Sequence, residues 1–413
     1  MKQNIAYLFL FLIGITGYID EFNSVDEIAP HWLYLSFLTF LSAIYYLFNS
    51  TEVFELFKKS FLLKNFFLFL IVGLISIYFS INKIESIIIL SRWGILFLIM
   101  VFLKVLLNDS KINFLTLCVV ITVFTIYEVF RSISPYFHII QDSDFSFRFS
   151  NSLKGVTGNK NITASSILIK VPFIYYLFQY YKNKYFKILL GVIIFSSVYN
   201  ILLLSSRAMI ICLILILAII SFKRINQGLN KLSFKQLLID FLPFISAIIL
   251  FISLYSSDET FSLDKRLASV NTSDESTSQR IRFYQHGIKH FVNNPVIGLG
   301  LGNWKIKSID YDSQNIISYI VPYHMHNDFL EIACEIGIIG LIVYLLFFVY
   351  PLSKIFKSLS RNNFNSISYI LLMSGLVYFI DSNLNFPMSR PISIVFFIII
   401  LSLLENLVDK HEI

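Results

Sequence analysis

Residues 329–350 read FLEIACEIGIIGLIVYLLFFVY, an apolar run entered directly from Pro322-Tyr323-His324-Met325-His326-Asn327-Asp328. About 20 mostly apolar residues cross the hydrocarbon core of a bilayer as a helix, so the run predicts a spanning helix with two histidines and an Asn-Asp pair at its mouth. The stretch before it, Ser256 to Asp328, is the one long segment too polar to sit in lipid. Similar runs fill the remainder of the chain, near 5–19, 32–48, 64–80, 86–107, 113–131, 162–180, 186–203, 207–222, 237–255, 364–380 and 391–406. With the first run that makes about twelve helices, all too apolar for the weak alternating pattern of a membrane barrel. The expected fold is an all-α integral membrane protein in three parts. Residues 1–255 carry the first nine helices with a short external loop at 132–161, residues 256–328 form a large external loop with short helices, and residues 329–413 carry the last three.

Composition agrees. Of 413 residues, 56% are hydrophobic and 17% aromatic, and the mean hydropathy is +0.72; soluble domains stay near 45–50% apolar. Cys118, Cys212 and Cys334 fall inside apolar runs and read as small hydrophobes, so they give no disulfide framework and no metal pair. Residues Ile5 to Ile19 are followed by Asp20-Glu21-Phe22 rather than a small-residue cleavage site, which favours a spanning helix over a signal peptide. The net charge of +7 does not argue for nucleic acid, because Lys and Arg sit mostly in short loops, where the positive-inside bias accounts for them.

That bias also sets the orientation. With the N-terminus inside, the inner loops hold Lys58, Lys59 and Lys64, then Lys104 and Lys111, then Lys182, Lys184 and Lys187, then Lys223, Arg224, Lys231 and Lys235, and finally Lys354, Lys357 and Arg361. The opposite loops are acidic or nearly neutral, as in Asp20 to His31 and Ser80 to Glu85. Both termini are then cytoplasmic, and the segments 132–161 and 256–328 lie outside.

Several residues could carry chemistry. Arg207 begins a helix at its outer end and either snorkels or meets a ligand; Arg92 lies deeper and calls for a partner or a water-filled cavity. Lys170, Asp240, Glu331 and Glu335 fall within or near apolar runs and could pair with neighbouring charges. Residues Ser278 to Phe291 read as an amphipathic helix with Ile281, Tyr284, Ile288 and Phe291 as its apolar stripe. Arg280 and Arg282 project from different sides of it, either as a solvated face or as forks for phosphate oxygens. Gly298, Gly300 and Gly302 lack the strand and helix of a nucleotide loop and read as a tight turn in which backbone approaches backbone. His286 with His290, and His324 with His326, are weak zinc candidates, since their order differs from HExxH. Asp142-Ser143-Asp144 has the form of a short metal-binding pair that chance often supplies. His326 precedes Asn327-Asp328, with Glu331 three residues after Asp328 as in a capping box. The imidazole is thereby put at the outer mouth of a helix, where it either takes a proton from an acceptor hydroxyl or bonds structurally to the loop.

Together these residues resemble the O-antigen ligase and O-antigen polymerase superfamily of bacterial membrane glycosyltransferases. The resemblance rests on Gly158-Asn159-Lys160-Asn161, Ser205-Ser206-Arg207-Ala208, Ser278-Gln279-Arg280 followed by Tyr284, and residues 294–300. It closes with His326-Asn327-Asp328-Phe329-Leu330, Glu335-Ile336-Gly337 and Gly340, so that it covers roughly residues 150 to 345. It implies a GT-C-like fold in the inner membrane and an inverting transfer, at the periplasmic face, of a glycan from undecaprenyl diphosphate, with no cofactor and no metal. The acceptor is lipid A-core in the ligases, a second lipid-linked repeat in the polymerases and a protein hydroxyl in related oligosaccharyltransferases. By the same resemblance Arg207 and Arg280 hold the diphosphate and His326 is the catalytic loop histidine. Tyr284 stands where Trp is usual, and Arg92, Arg282 and His324 are further substrate-binding candidates. The reading from a different class is a solute transporter, against which the halves lack matching broken helices.

Overall fold

The computed structural model describes residues 2–20, 22, 24, 26–48, 50–108, 113–143, 145–226, 234–255, 275–314, 323–360 and 366–410. Lys111, Asp144, Lys231, Pro322, Arg361, and the parts of the large loop at 256–274 and 315–322, lie outside the described residues. Among those described there is no strand.

Among the described residues nine helices are long and apolar enough to cross a membrane, from Phe61–Phe79 to Ser366–Leu384. The count falls short of the expected twelve at three runs. Asn4–Tyr18 and Pro391–Glu405 are shorter apolar helices, and Ala29–Tyr46 turns by 108° into Thr51–Lys59. We label the helices that matter here α1 (Ala29–Phe48), α2 (Phe61–Phe79), α3 (Lys83–Asn108), α4 (Phe114–Asp142), α5 (Lys160–Leu168), α6 (Lys184–Leu204), α7 (Arg207–Asn226) and α8 (Phe234–Tyr255). These are followed by α9 (Glu275–Asn293), α10 (Trp304–Asp312), α11 (Asp328–Ser360), α12 (Ser366–Leu384) and α13 (Pro391–Lys410). Their outward faces carry large apolar side chains such as Leu33, Phe40, Leu74, Phe130 and Ile188, a surface that lipid accepts and water does not.

Inside, Lys170 and Asp240 pair with neighbouring charges as expected. Lys170 donates to Glu128 at 2.5 Å and to Ser166 at 2.8 Å, and Arg224 Nε donates to Asp240 at 2.7 Å. Lys104, read from the sequence as an inner-loop charge, is instead buried within α3 and pairs with Glu405, whose other oxygen accepts from the amides of Phe61 and Leu62 at the capped start of α2. In low dielectric such charges persist only when paired and hydrogen-bonded.

The turn at residues 294–304 is a clasp. α11 breaks at Ile336 and Gly337, where Gly337 has φ of +68°, and the break releases carbonyls that a continuous helix would use. Leu299 and Gly300 donate their amides to the carbonyls of Cys334 and Glu335 at 3.0 and 2.8 Å, while Ile338 donates to Pro295 at 2.8 Å. The Glu335 carboxylate accepts from the amides of Gly302 and Trp304 at 2.7 and 2.8 Å. A Cβ on Gly298 would lie 2.5 Å from the Cys334 carbonyl, and one on Gly337 would lie 2.3 Å from that of Val296. Backbone approaches backbone as the glycine pattern requires, and α9 and α10 are thereby held against α11.

Candidate active site

His326 sits in the left-handed region, with φ of +60°, in the turn that enters α11. Such a conformation is costly for a residue other than glycine and persists only where its surroundings impose it. They do: the Tyr284 hydroxyl, on α9, donates to the His326 carbonyl at 2.9 Å and lies 3.2 Å from the Asn383 carbonyl at the end of α12. Asn327 also donates to Asn383 and accepts from the Leu330 amide at 3.0 Å. The cap differs in detail from the expected box. Asn327, not Asp328, is the capping residue, and Glu331 reaches back to the Met325 amide at 2.8 Å. Asp328 is fully buried and accepts from the Met388 amide at 3.2 Å.

The His326 ring meets the edge of Phe386 at 4.9 Å, and its Nδ1 is buried without a hydrogen-bond partner. Burial, then the Arg280 charge, then His324, lowers its pKa to about 3, so at neutral pH the imidazole is uncharged and has a lone pair to offer. Arg280, one turn before Tyr284, lies within Coulombic reach of His326, Tyr284 and Asp381. Burial raises the Tyr284 pKa and keeps the phenol a donor. Asp381, fully buried on α12, accepts from Ser165 on α5 and from Asn385, both at 2.6 Å.

Arg207 opens α7 immediately after Ser205, whose φ of +57° ends α6. α7 packs against α12 and α5, and Cys212, farther along α7, lies within reach of the Asp381 charge. Arg207 therefore starts a helix that runs beside the Asp381-bearing one. Arg282 is placed apart from Arg280, as the helical spacing expects, with its fork on Asp312 at 3.1 and 3.4 Å. His286 stacks on Tyr311 and His290 hydrogen-bonds to it at 2.8 Å. Among the described residues no group of three or more His, Cys, Asp or Glu side chains is placed to hold a metal.

A cavity of about 570 Å³ opens next to this cluster. Arg92 lines it, 3.3 Å from Asp26 and with its guanidinium 5.3 Å from the Trp32 ring centre, and so has both a partner and a cavity. His324 lines it too, 3.4 Å from Glu331 and stacked on Phe386 at 4.6 Å. Arg390, whose guanidinium lies 5.2 Å from the Phe386 ring centre, completes this side. Asp381, Phe386 and Arg390 were not among the sequence candidates. An Asp and an Arg at the two ends of the last interhelical turn were the available signal, since an ionisable group at membrane depth is a functional candidate by default.

Residues 192–345 match the family model described as O-Antigen ligase, a span that runs from α6 through the clasp and includes Arg207, Arg280, Tyr284 and His326. Among curated proteins, the chain is 41% identical over 93 residues to a "Putative polysaccharide ligase" of Rickettsia conorii. It is 36% identical over 93 residues to proteins of the same description from Rickettsia felis and Rickettsia typhi. Each match covers 20% of this chain and 22% of the relative, so the chain spans about a fifth of the length of the curated relatives it matches.

Proposed function

We propose that this chain, whose residues 192–345 match the O-antigen ligase family model, is a ligase of that superfamily and moves a glycan from undecaprenyl diphosphate to a hydroxyl of lipid A-core. The reaction takes place at the periplasmic face of the bacterial inner membrane, with both termini cytoplasmic and the segment 256–328 as a cap over the site. The observation that carries the reading is the uncharged, buried His326 imidazole with an unused Nδ1, held in the field of Arg280.

The chemistry follows from that pair. The acceptor oxygen attacks the anomeric carbon of the donor sugar from the side opposite the diphosphate, so the new glycosidic bond forms as the bond to the phosphate oxygen breaks, with inversion. His326 takes the hydroxyl proton, and the bonding electrons leave with the diphosphate. Arg280 and Arg207 neutralise that leaving charge, each able to grip two oxygens at once. A bound diphosphate also offsets the Arg280 charge felt by His326 and so raises the basicity of the imidazole, while burial, the larger cause, continues to hold it down. Surrounding lipid retains the polyprenyl tail.

Deleting the protein from its host and examining the envelope tests this reading. Loss of a ligase leaves full-length polymer on the lipid carrier. Single repeats on the carrier would assign the chain to polymerisation instead, and an unchanged envelope would remove it from glycan transfer altogether.

A further inference from the structure

We infer that the 570 Å³ cavity beside the His326 cluster is the chamber for the acceptor's sugars, a neutral and hydroxyl-rich glycan segment rather than the anionic donor. The inference rests on the glycosyl-transfer reading for its direction, but the chamber itself is argued from what lines it.

Its electrostatics reject a diphosphate. Among the lining side chains carboxylates outnumber Lys and Arg by five to three. Two of the three cations are already engaged, Arg92 by Asp26 at 3.3 Å and Lys305 by Glu85 at 2.6 Å. Bringing a second concentrated negative charge among these acids would be repulsive in a partly desolvated space, whereas sugar hydroxyls hydrogen-bond to carboxylates, guanidiniums and amines alike.

Its lining mixes polar with aromatic side chains, His324, Ser389 and Arg390 among the polar ones. Trp32, Trp93 and Tyr323 add aromatic surface on which the apolar faces of sugar rings pack. The volume falls within the range of roughly 300–1,000 Å³ usual for small-molecule sites.

Its position connects it to the reaction. Phe386 touches two lining residues, His324 by stacking at 4.6 Å and Arg390 at 5.2 Å, and presents its edge to His326, which is outside the lining. Phe386 thus links the lining of the chamber to the imidazole through direct ring contacts.

Two of the three tryptophans line the chamber, and the third, Trp304, is buried in the clasp, so intrinsic fluorescence reports on it. The test titrates the full-length solubilised protein with dephosphorylated core oligosaccharide from its host, and separately with inorganic pyrophosphate. We expect the oligosaccharide to change tryptophan emission. Its affinity should fall at least fivefold in both Arg390→Gln and Tyr323→Ala, with pyrophosphate affinity unchanged. Tyr323 is 61% exposed, so its replacement leaves the fold intact. No emission change with oligosaccharide, unchanged oligosaccharide affinity in both variants, or a loss of pyrophosphate binding in Arg390→Gln would overturn the assignment. Oligosaccharide binding without any transfer activity would instead sink the catalytic reading and leave the chamber standing.

Discussion

The Tyr284 hydroxyl donates to the main-chain carbonyl of His326 across 2.9 Å. One phenol on α9 thus fixes the backbone of the residue proposed as the base, and the Asn383 carbonyl at 3.2 Å brings the end of α12 to the same point. Tyr284→Phe keeps the ring and removes both contacts of the hydroxyl. A hydrogen bond of this kind is worth about 1 kcal/mol net, so kcat should fall up to roughly tenfold with a small drop in melting temperature and an unchanged donor KM. Steady-state transfer assays check it, and an unaltered kcat would mean that the tie does not orient the imidazole.

His326 has two separable features, a left-handed backbone and an imidazole. Asn tolerates φ near +60° better than most residues, so His326→Asn should stay folded while losing about 10²- to 10⁴-fold in activity. His326→Ala should lose the same activity and also some stability. Comparing melting temperatures and turnover of the two variants divides the backbone contribution from the chemical one.

Much of this was legible in the sequence. The apolar runs announced a helical membrane bundle, and the glycines at 298, 300 and 302 announced a close backbone approach. What periodicity could not supply was long-range pairing. The amides of Gly302 and Trp304 end on Glu335, more than thirty residues away, and Asn383 meets Tyr284 from the far end of another helix. Nor could it foresee where runs bend or shorten. The helix at 29–46 meets the next, at 51–59, at 108°, because composition fixes apolarity without fixing path. Arg280 and His326 were readable as candidates, but their mutual field arises only once α9 is laid against the mouth of α11.

That field gives a pH signature. The folded pKa of His326 is about 3, below the unfolded value of 6.5, so the unfolded chain binds the proton first as pH falls. The site's contribution to stability is therefore complete above pH 6.5 and is lost progressively as pH drops toward 3. His326→Asn should flatten this part of the acid-unfolding curve. Arg280→Gln removes one of the charges that lower the imidazole pKa, so the His326 titration followed by NMR should move upward. No movement would show that burial alone holds it down.

The clasp makes a steric prediction. A Cβ at position 337 would lie 2.3 Å from the Val296 carbonyl in a backbone with φ of +68°, and neither side can yield without opening the turn at 294–304. Gly337→Ala should destabilise by several kcal/mol, on the order of 3 or more, from overlap and strain together. Limited proteolysis would detect it as early cleavage between α9 and α11. Glu335→Ala, which leaves two amides without their acceptor, should reproduce the sensitivity more mildly.

The buried Lys170–Glu128 pair separates charge from packing. Replacing Lys170 by Met leaves the Glu128 carboxylate in a closed interior where, among the described residues, the Tyr18 hydroxyl at 3.3 Å is the remaining donor side chain. Breaking one side of such a pair costs about 3–5 kcal/mol. Replacing both partners by apolar residues of similar volume removes the stranded charge, and is commonly neutral or stabilising. Lys170→Met should therefore lower the yield of monodisperse protein and its melting temperature, and adding Glu128→Leu should restore most of both. If the double variant is as stable as the parent yet transfers no glycan, the pair has a role in the reaction cycle. If it is stable and active, Lys170 and Glu128 serve only to let α4 and the helix beginning at α5 pack with their charges satisfied.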